Sequence, residues 1–270
     1  MLFRSFDIHG GGMDLLFPHH ESEIAQSTIC NHVAPVRYWI HNNMITINGK
    51  KMGKSYNNVI RLTELFSGDH PALEKAYHPI VIRFFILQTH YRSTLDFSNE
   101  ALQAAEKGLK RLWEAHEKLQ EMRYELGVDS PKSIVDKELE EKVKKLIAEF
   151  DEFMNDDFST AKVLANMFEM VPVINSMKDK AIPVSALSKE TFELLKQQMK
   201  VYAEDILGLQ SFTEADNEKL KGVMDLLIDI RKEAKNKKDF ITSDKIRNQL
   251  SRLGINLKDE KDGGMSWNIE

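Results

Sequence analysis

From residue 98 to residue 206 apolar residues recur at three- and four-residue spacing with few interruptions, and this run constrains the fold more than any other feature. The spacing predicts helices over 98–127, 134–154, 158–178 and 188–206, with breaks at Gly127 to Pro131, Asn155 to Asp157 and Ile182 to Ser188. Apolar stripes of this kind are buried against one another, so the stretch reads as an antiparallel bundle whose Leu, Met and Phe side chains form its core. The same spacing runs back to Thr63 through LEKAYHPIVIRFFILQTH. That segment carries Arg83 and is far short of the roughly 20 apolar residues of a bilayer span. With 37 basic against 42 acidic residues the net charge is −5, so a polyanion would have to be met by local basic patches. A hydrophobic content of 42% excludes a disordered tail. A single cysteine and no signal-like N-terminal run predict a cytoplasmic protein without a membrane span.

Before residue 98 the text changes and holds most of the Gly, His and Trp. Residues 2–8 read as the end of a buried strand that opens into a loop at the triple glycine. Pro18 starts a helix that runs to Asn31, residues 37–47 (RYWIHNNMITI) are extended, and NGKKMGKSYNN is a loop. After residue 213, two short helices precede GINLKDEKDGGMSWNIE, in which Asp262-Gly263-Gly264 between two extended pieces signals a hairpin. The fold class is therefore mainly α with a small α/β part and a small C-terminal α/β module.

Two clusters offer chemistry. In DIHGGGMDLLFPHHESE, His19 and Glu23 lie four apart on one helical face, within reach of one ion. Such spacing alone is more often an ordinary hydrogen-bonded pair. The glycines Gly10, Gly11 and Gly12 sharpen it, because they allow a close backbone approach, and Asp7, His9, Asp14, His19 and His20 crowd polar groups around them. The second cluster, Lys50-Lys51-Met52-Gly53-Lys54-Ser55, puts mobile ammonium groups where phosphates could be met; alone it would be a solvated loop. The two in this order are more specific than either.

The segments FDIHGGGMDLLFPHHESEIAQS, YWIHNNMITINGKKMGKS, HYRSTLDFS, FMNDDFST and SDKIRNQLSRLGINLKDEKDGGMSW resemble those of the cysteinyl-tRNA synthetases, class I aminoacyl-tRNA ligases, in family order. The resemblance implies ATP-dependent activation of cysteine and its transfer to tRNA(Cys), with ATP and Mg2+ as substrate and one Zn2+ holding the substrate thiol. It implies that His19 and Glu23 supply part of the zinc site. It implies that His9, Gly10 and Gly11 line the amino-acid and adenylate pocket, that Trp39 and His41 sit beside the nucleotide, and that Lys51 and Lys54 belong to the KMSKS-type loop. Gly53 stands where that loop usually has Ser, and Ser22 where the HHENE string has Asn.

The resemblance also implies a carboxyl-terminal portion, since the family's HIGH-type tetrapeptide and the two upstream zinc cysteines are not in these residues. Cys30 does not substitute: eleven residues beyond His19 on one helix places it roughly 16 Å away, and a buried, inert thiol is the expectation. By itself such a portion is expected to bind ATP and zinc poorly, to leave cysteine unactivated, and to be a monomer. The domain reading is 1–58 as the end of a Rossmann-type catalytic domain, 59–97 as a stem-contact-like linker, 98–212 as a DALR-like tRNA-binding bundle and 213–270 as an anticodon-facing module. In the last, RKEAKNKK followed by Phe240 offers phosphate contacts and a stacking ring, although a charged helix face is the commoner meaning of such a run. By resemblance Lys235, Phe240, Asp244, Asp259 and Trp267 face the anticodon; equally, Asp244 could cap its helix and Trp267 fill the core. Arg92 could contact the acceptor stem or pair structurally. The alternatives are a non-catalytic tRNA-binding module, a cysteine ligase of the mycothiol pathway, against which the terminal segment argues, and a metal hydrolase built on HHESE.

Overall fold

The structure, a computed structural model, describes residues 5–124, 135–211, 214–237, 239–252, 255–259 and 265–269. It divides into two compact units, residues 1–211 and 212–270. The first begins with a β-α-β crossover: β1 (Phe6–Gly12), α1 (Glu21–Asn31) and β2 (Val36–Asn42), the two strands pairing in parallel. A helical connection is what a parallel pair requires. The triple glycine is strand rather than loop, since Gly10, Gly11 and Gly12 lie opposite Ile40, His41 and Asn42. Nor is that strand buried: Phe6 and Ile8 are exposed. The helical turn expected from Pro18 is a distorted one over Leu16–His20, interrupted by extended backbone at Phe17 and a cis Phe17–Pro18 bond, before α1 proper. Cys30 on α1 is exposed, which corrects the buried reading; α1 buries only Ser27, so the helix offers its thiol no apolar face to enter.

A second sheet joins β3 (Ile45–Ile47), β4 (Lys50–Lys51) and β5 (Leu95–Phe97) in the order β4-β3-β5. Ile47 pairs with Lys50 across a two-residue turn in which Asn48 and Gly49 both take positive φ (50° and 73°), the backbone that a tight hairpin demands and that Asn-Gly supplies. Of the lysine segment, Lys50 and Lys51 are the return arm of this hairpin, while Met52 and Gly53 are loop and Lys54–Tyr56 form one 3-10 turn.

The periodic text from Thr63 resolves into α2 (Leu62–Ser67) and α3 (Pro79–Leu87), with residues 68–78 outside any helix. Gly68 ends α2, and Pro79 starts α3 at its first turn, where it forfeits no hydrogen bond. The bundle follows as α4 (Asn99–Glu121), α5 (Lys137–Asn155), α6 (Thr160–Lys178) and α7 (Lys189–Lys200), the last continued by a wider turn over Val201–Ile206. The expected break at Gly127 to Pro131 lies outside the described residues. Leu109, Leu112, Phe150, Val163, Met167, Ile174, Phe192 and Met199 are almost wholly buried, the core that the stripes predict. Burial of each such side chain stabilises by about 1.5–3 kcal/mol before chain entropy is counted.

The second unit comprises α8 (Glu214–Asn236), α9 (Phe240–Arg252) and an antiparallel hairpin of β6 (Ile255–Asp259) and β7 (Met265–Ile269). The first helix is long rather than short. The Asp262-Gly263-Gly264 turn lies outside the described residues. No helix among the described residues is long and apolar enough to cross a membrane.

Candidate functional site

Parallel pairing of β1 with β2 sets His9 opposite Trp39 and Gly11 opposite His41, which gathers four aromatic rings over the glycine strand. His9 stacks on Trp39 at 4.6 Å between centroids, and the Trp39 and His41 rings lie 5.9 Å apart with planes within 4°. His20 enters from the turn before α1, 4.8 Å from the Trp39 ring, and its Nδ1 hydrogen-bonds His41 Nε2 at 2.8 Å. A side chain at position 11 would place its Cβ 2.7 Å from the His20 ring, so glycine there is what admits the imidazole.

Glu23 closes the group. Its Oε2 lies 3.5 Å from His9 Nδ1, and ligand atoms of His9, His20 and Glu23 all fall within 4.8 Å of one another. Two imidazoles and a carboxylate match the nitrogen and oxygen donors that zinc takes, and the His20–His41 bond is the kind that orients a ligating ring through its other nitrogen. His19 is not in this convergent group and its side chain is exposed. The i, i+4 spacing selects His19, whereas the turn leading into α1 aims the buried His20 at Glu23 and His9. No spacing rule signals His20; only the strand pairing brings its partners.

Lys51 ends β4 and Lys54 opens the single 3-10 turn that follows it, Lys54–Tyr56, and both are exposed. Two side chains fix the hairpin. Asp96 on β5 accepts from Thr46 Oγ1 at 2.6 Å and from the Gly49 amide at 2.8 Å, which pins the turn. Asn58 accepts from the Gly53 amide at 2.9 Å and donates to the Lys51 carbonyl at 3.0 Å, so one side chain spans Met52 from both sides. The lysine-rich text does not flag either residue. Asp7 pairs loosely with Arg37, and Asp14 is exposed.

Arg92, also exposed, leans on Asp157 of the α5–α6 turn. In the second unit the basic run is thinner than its text, because Arg231 is 2% exposed and is not part of a solvated patch. Lys235 is half-buried and Phe240 is exposed at the start of α9. Asp244 does not cap that helix: Asp239 does, accepting from the Thr242 amide at 3.1 Å, a bond that with the Thr242 hydroxyl holds its carboxyl below the usual range. Asp244 pairs instead with Arg247 one turn on. Trp267 on β7 is half-buried opposite Leu257, and the Asp259 side chain lies outside the described residues.

Residues 1–107 match the family model of the tRNA synthetases class I (C) catalytic domain, and residues 149–212 match the DALR domain. A cysteine–tRNA ligase of Parabacteroides distasonis is 49% identical over 271 residues, covering 99% of this chain and 52% of its own length. One of Cytophaga hutchinsonii is 45% identical over 269 residues, covering 100% of this chain and 52% of its own. The chain spans about half the length of the curated relatives it matches. Among solved structures, the ternary complex of Agrobacterium radiobacter K84 agnB2 LeuRS with tRNA and LeuAMS is alike in fold, with TM-score 0.51 and 16% identity over 76% of this chain and 28% of that one.

Proposed function

We propose, from the match of residues 1–107 to the class I (C) tRNA synthetase catalytic domain and of residues 149–212 to the DALR domain, that the chain is part of such a synthetase and serves cysteine–tRNA ligation. In this reading it supplies the lysine loop, part of a zinc site and the tRNA-binding helices of a cytoplasmic, monomeric ligase. The observation that carries the reading is the run of identity with two cysteine–tRNA ligases over essentially the whole chain.

In the proposed reaction the cysteine carboxylate attacks the α-phosphate of ATP and displaces pyrophosphate, and a terminal ribose hydroxyl of tRNA(Cys) then attacks the carbonyl carbon of the mixed anhydride, forming the ester and releasing AMP and the hydroxyl proton; Mg2+ would accompany ATP and neutralise charge on its phosphates. Lys51, at the end of the hairpin pinned by Asp96, and Lys54, just beyond the turn held by Asn58, meet the charge that builds on the departing phosphates; a preorganised donor there stabilises it by about 3 kcal/mol. His9, Gly10 and Gly11 line the amino-acid and adenylate side, with Trp39 and His41 against the nucleotide. Zinc, when bound, supplies a soft Lewis acid for the substrate thiol and so distinguishes cysteine from serine. Glu23 would be its anchor in this chain, with His19 as its histidine by resemblance, while the His9–His20–Glu23 group offers the competing donor set that the zinc test below separates. In the terminal module Lys235, Phe240, Asp244, Asp259 and Trp267 face the anticodon.

Three measurements test the proposal. Cysteine-dependent ATP–pyrophosphate exchange is expected to be absent from these 270 residues alone and present once the upstream half of the Parabacteroides distasonis relative is joined to them. The residues alone are expected to bind tRNA(Cys) with an affinity that falls steeply with salt. Exchange by the chain alone would overturn the division of labour, and absence of both exchange in the joined protein and tRNA binding would overturn the function. Zinc content, measured by mass spectrometry on the joined protein, is expected to fall in His19→Ala and Glu23→Ala and to persist in His20→Ala; the reverse order of the two histidines would move the ligand to His20.

A further inference from the structure

His90, Tyr91 and Arg92 follow one another beyond α3, and all three side chains converge on one residue of the bundle, Asp157. The Tyr91 hydroxyl donates to Asp157 Oδ1 at 2.5 Å, Arg92 Nε lies 2.8 Å from Oδ2, and His90 Nε2 lies 3.1 Å from the Asp157 carbonyl oxygen. Arg92 Nε also reaches the Tyr91 hydroxyl at 3.2 Å, and the guanidinium sits 5.7 Å from the Tyr91 ring centroid. The same three-residue turn is held from its other side by Asn43, whose amide donates to the Tyr91 carbonyl and whose side chain donates to that of Arg92. Asp157 and Phe158 both have positive φ, 62° and 55°. Consecutive non-glycine residues remain in that region only where their surroundings over-determine them.

This cluster uses the arginine economically. Its Nε is consumed by the carboxylate and the phenol, yet the Arg92 side chain is 64% exposed. The outer edge of the guanidinium, two amino groups in a rigid plane, is therefore turned to solvent with its orientation already set. A lysine cannot be prepared in this way, and a planar fork is the geometry that phosphate oxygens accept. A pair formed only for stability would gain little from so exposed an arginine.

We propose that Arg92 is a preorganised contact for a backbone phosphate of tRNA, with Asp157 and Tyr91 as its positioning residues. The inference rests on the tRNA-binding reading above and names, within it, the phosphate contact and the groups that aim it. Orientation entropy is the physical gain: an anchored fork loses less side-chain freedom when it binds than a free one does.

The test is the affinity of the 270-residue chain for tRNA(Cys) across a salt series. Arg92→Ala is expected to weaken binding about tenfold and to reduce the slope of log affinity against log salt by about 0.7–0.9, one phosphate's share. Asp157→Asn and Tyr91→Phe decide the positioning role. Both are expected to weaken binding about threefold with the slope unchanged, because the charge that meets RNA remains while its aim is lost. A carboxylate that merely opposed RNA would give the opposite sign, so tighter binding by Asp157→Asn would overturn the proposal. Should Asp157→Asn fail to fold, Tyr91→Phe, which loses one hydroxyl, carries the test, and unchanged binding there overturns the positioning role. Wild-type chain that binds no tRNA(Cys) overturns the functional reading beneath; wild-type binding with Arg92→Ala unaltered overturns this inference alone.

Discussion

Asn58 shows how one side chain sets the shape of a reactive loop. Its amide spans Met52, taking the Gly53 N–H and giving to the Lys51 carbonyl, so a side chain joins the backbone bonds of Met52 to Ile45 and of Tyr56 to Gly53 in closing the stretch between the two key lysines. Two such bonds together are worth about 1–3 kcal/mol. Asn58→Ala is expected to raise hydrogen exchange at the Gly53 amide about tenfold or more while leaving the bundle amides unchanged; equal exchange in the two proteins would show that the turn holds itself. The lysines were legible as residue types that meet phosphate, and the glycines as a place of close approach. Asn58 and Asp96 were not, and His20 was legible only as one of the polar groups crowding the glycines, because the partners of all three are distant in sequence or off the helical repeat. The expected buried state of Cys30 failed for a related reason: α1 has little apolar face, so position on a helix says nothing of cover.

Among elements, α7 depends on a carboxylate from another helix. Glu140 on α5 accepts from the Ser188 amide at 3.0 Å, the Ser188 hydroxyl at 2.7 Å and the Thr191 hydroxyl at 2.5 Å, and pairs with Lys144 at 2.9 Å. Burial acts to raise its pKa, but the bonds from Thr191, Lys144 and Ser188 outweigh burial and lower it to about 2. Since the folded value is depressed, the stabilisation is complete above the ordinary value of 4.5 and is lost as pH falls from there through about 2. Glu140→Ala is expected to cost about 2 kcal/mol in chemical unfolding at neutral pH, and the difference from wild type is expected to shrink as the acid limit is approached. The helices themselves were legible from apolar spacing, as α4 to α7 show. What spacing missed was residues 68–78, where Gly68 and the X-Pro step before α3 break a run that is periodic in composition alone. It also missed that a glycine triplet can be strand when a parallel neighbour supplies its hydrogen bonds.

At the scale of the molecule, residues 1–211 and 212–270 form separate compact units. Leu207 and Leu209, near the end of the first unit, are nearly inaccessible. A chain ending at Ser211 is expected to keep the bundle's thermal midpoint within about 3 °C, a change of under 1 kcal/mol for a domain of this size; a large fall in calorimetry would refute independent folding. The same truncation removes the module assigned to the anticodon, so tRNA(Cys) affinity should drop while the Arg92 salt-slope effect persists. Periodicity, turn chemistry and residue type act through neighbours in the chain, and by themselves they determined a helical bundle, a glycine triplet beside a histidine cluster and a lysine-rich turn. The convergence of His9, His20 and Glu23, the pinning of the Gly49 turn by Asp96 and the anchoring of Arg92 by Asp157 were decided only by the tertiary structure, because each brings together groups many residues apart in the chain, and burial of apolar surface elsewhere in the fold is what brings them there.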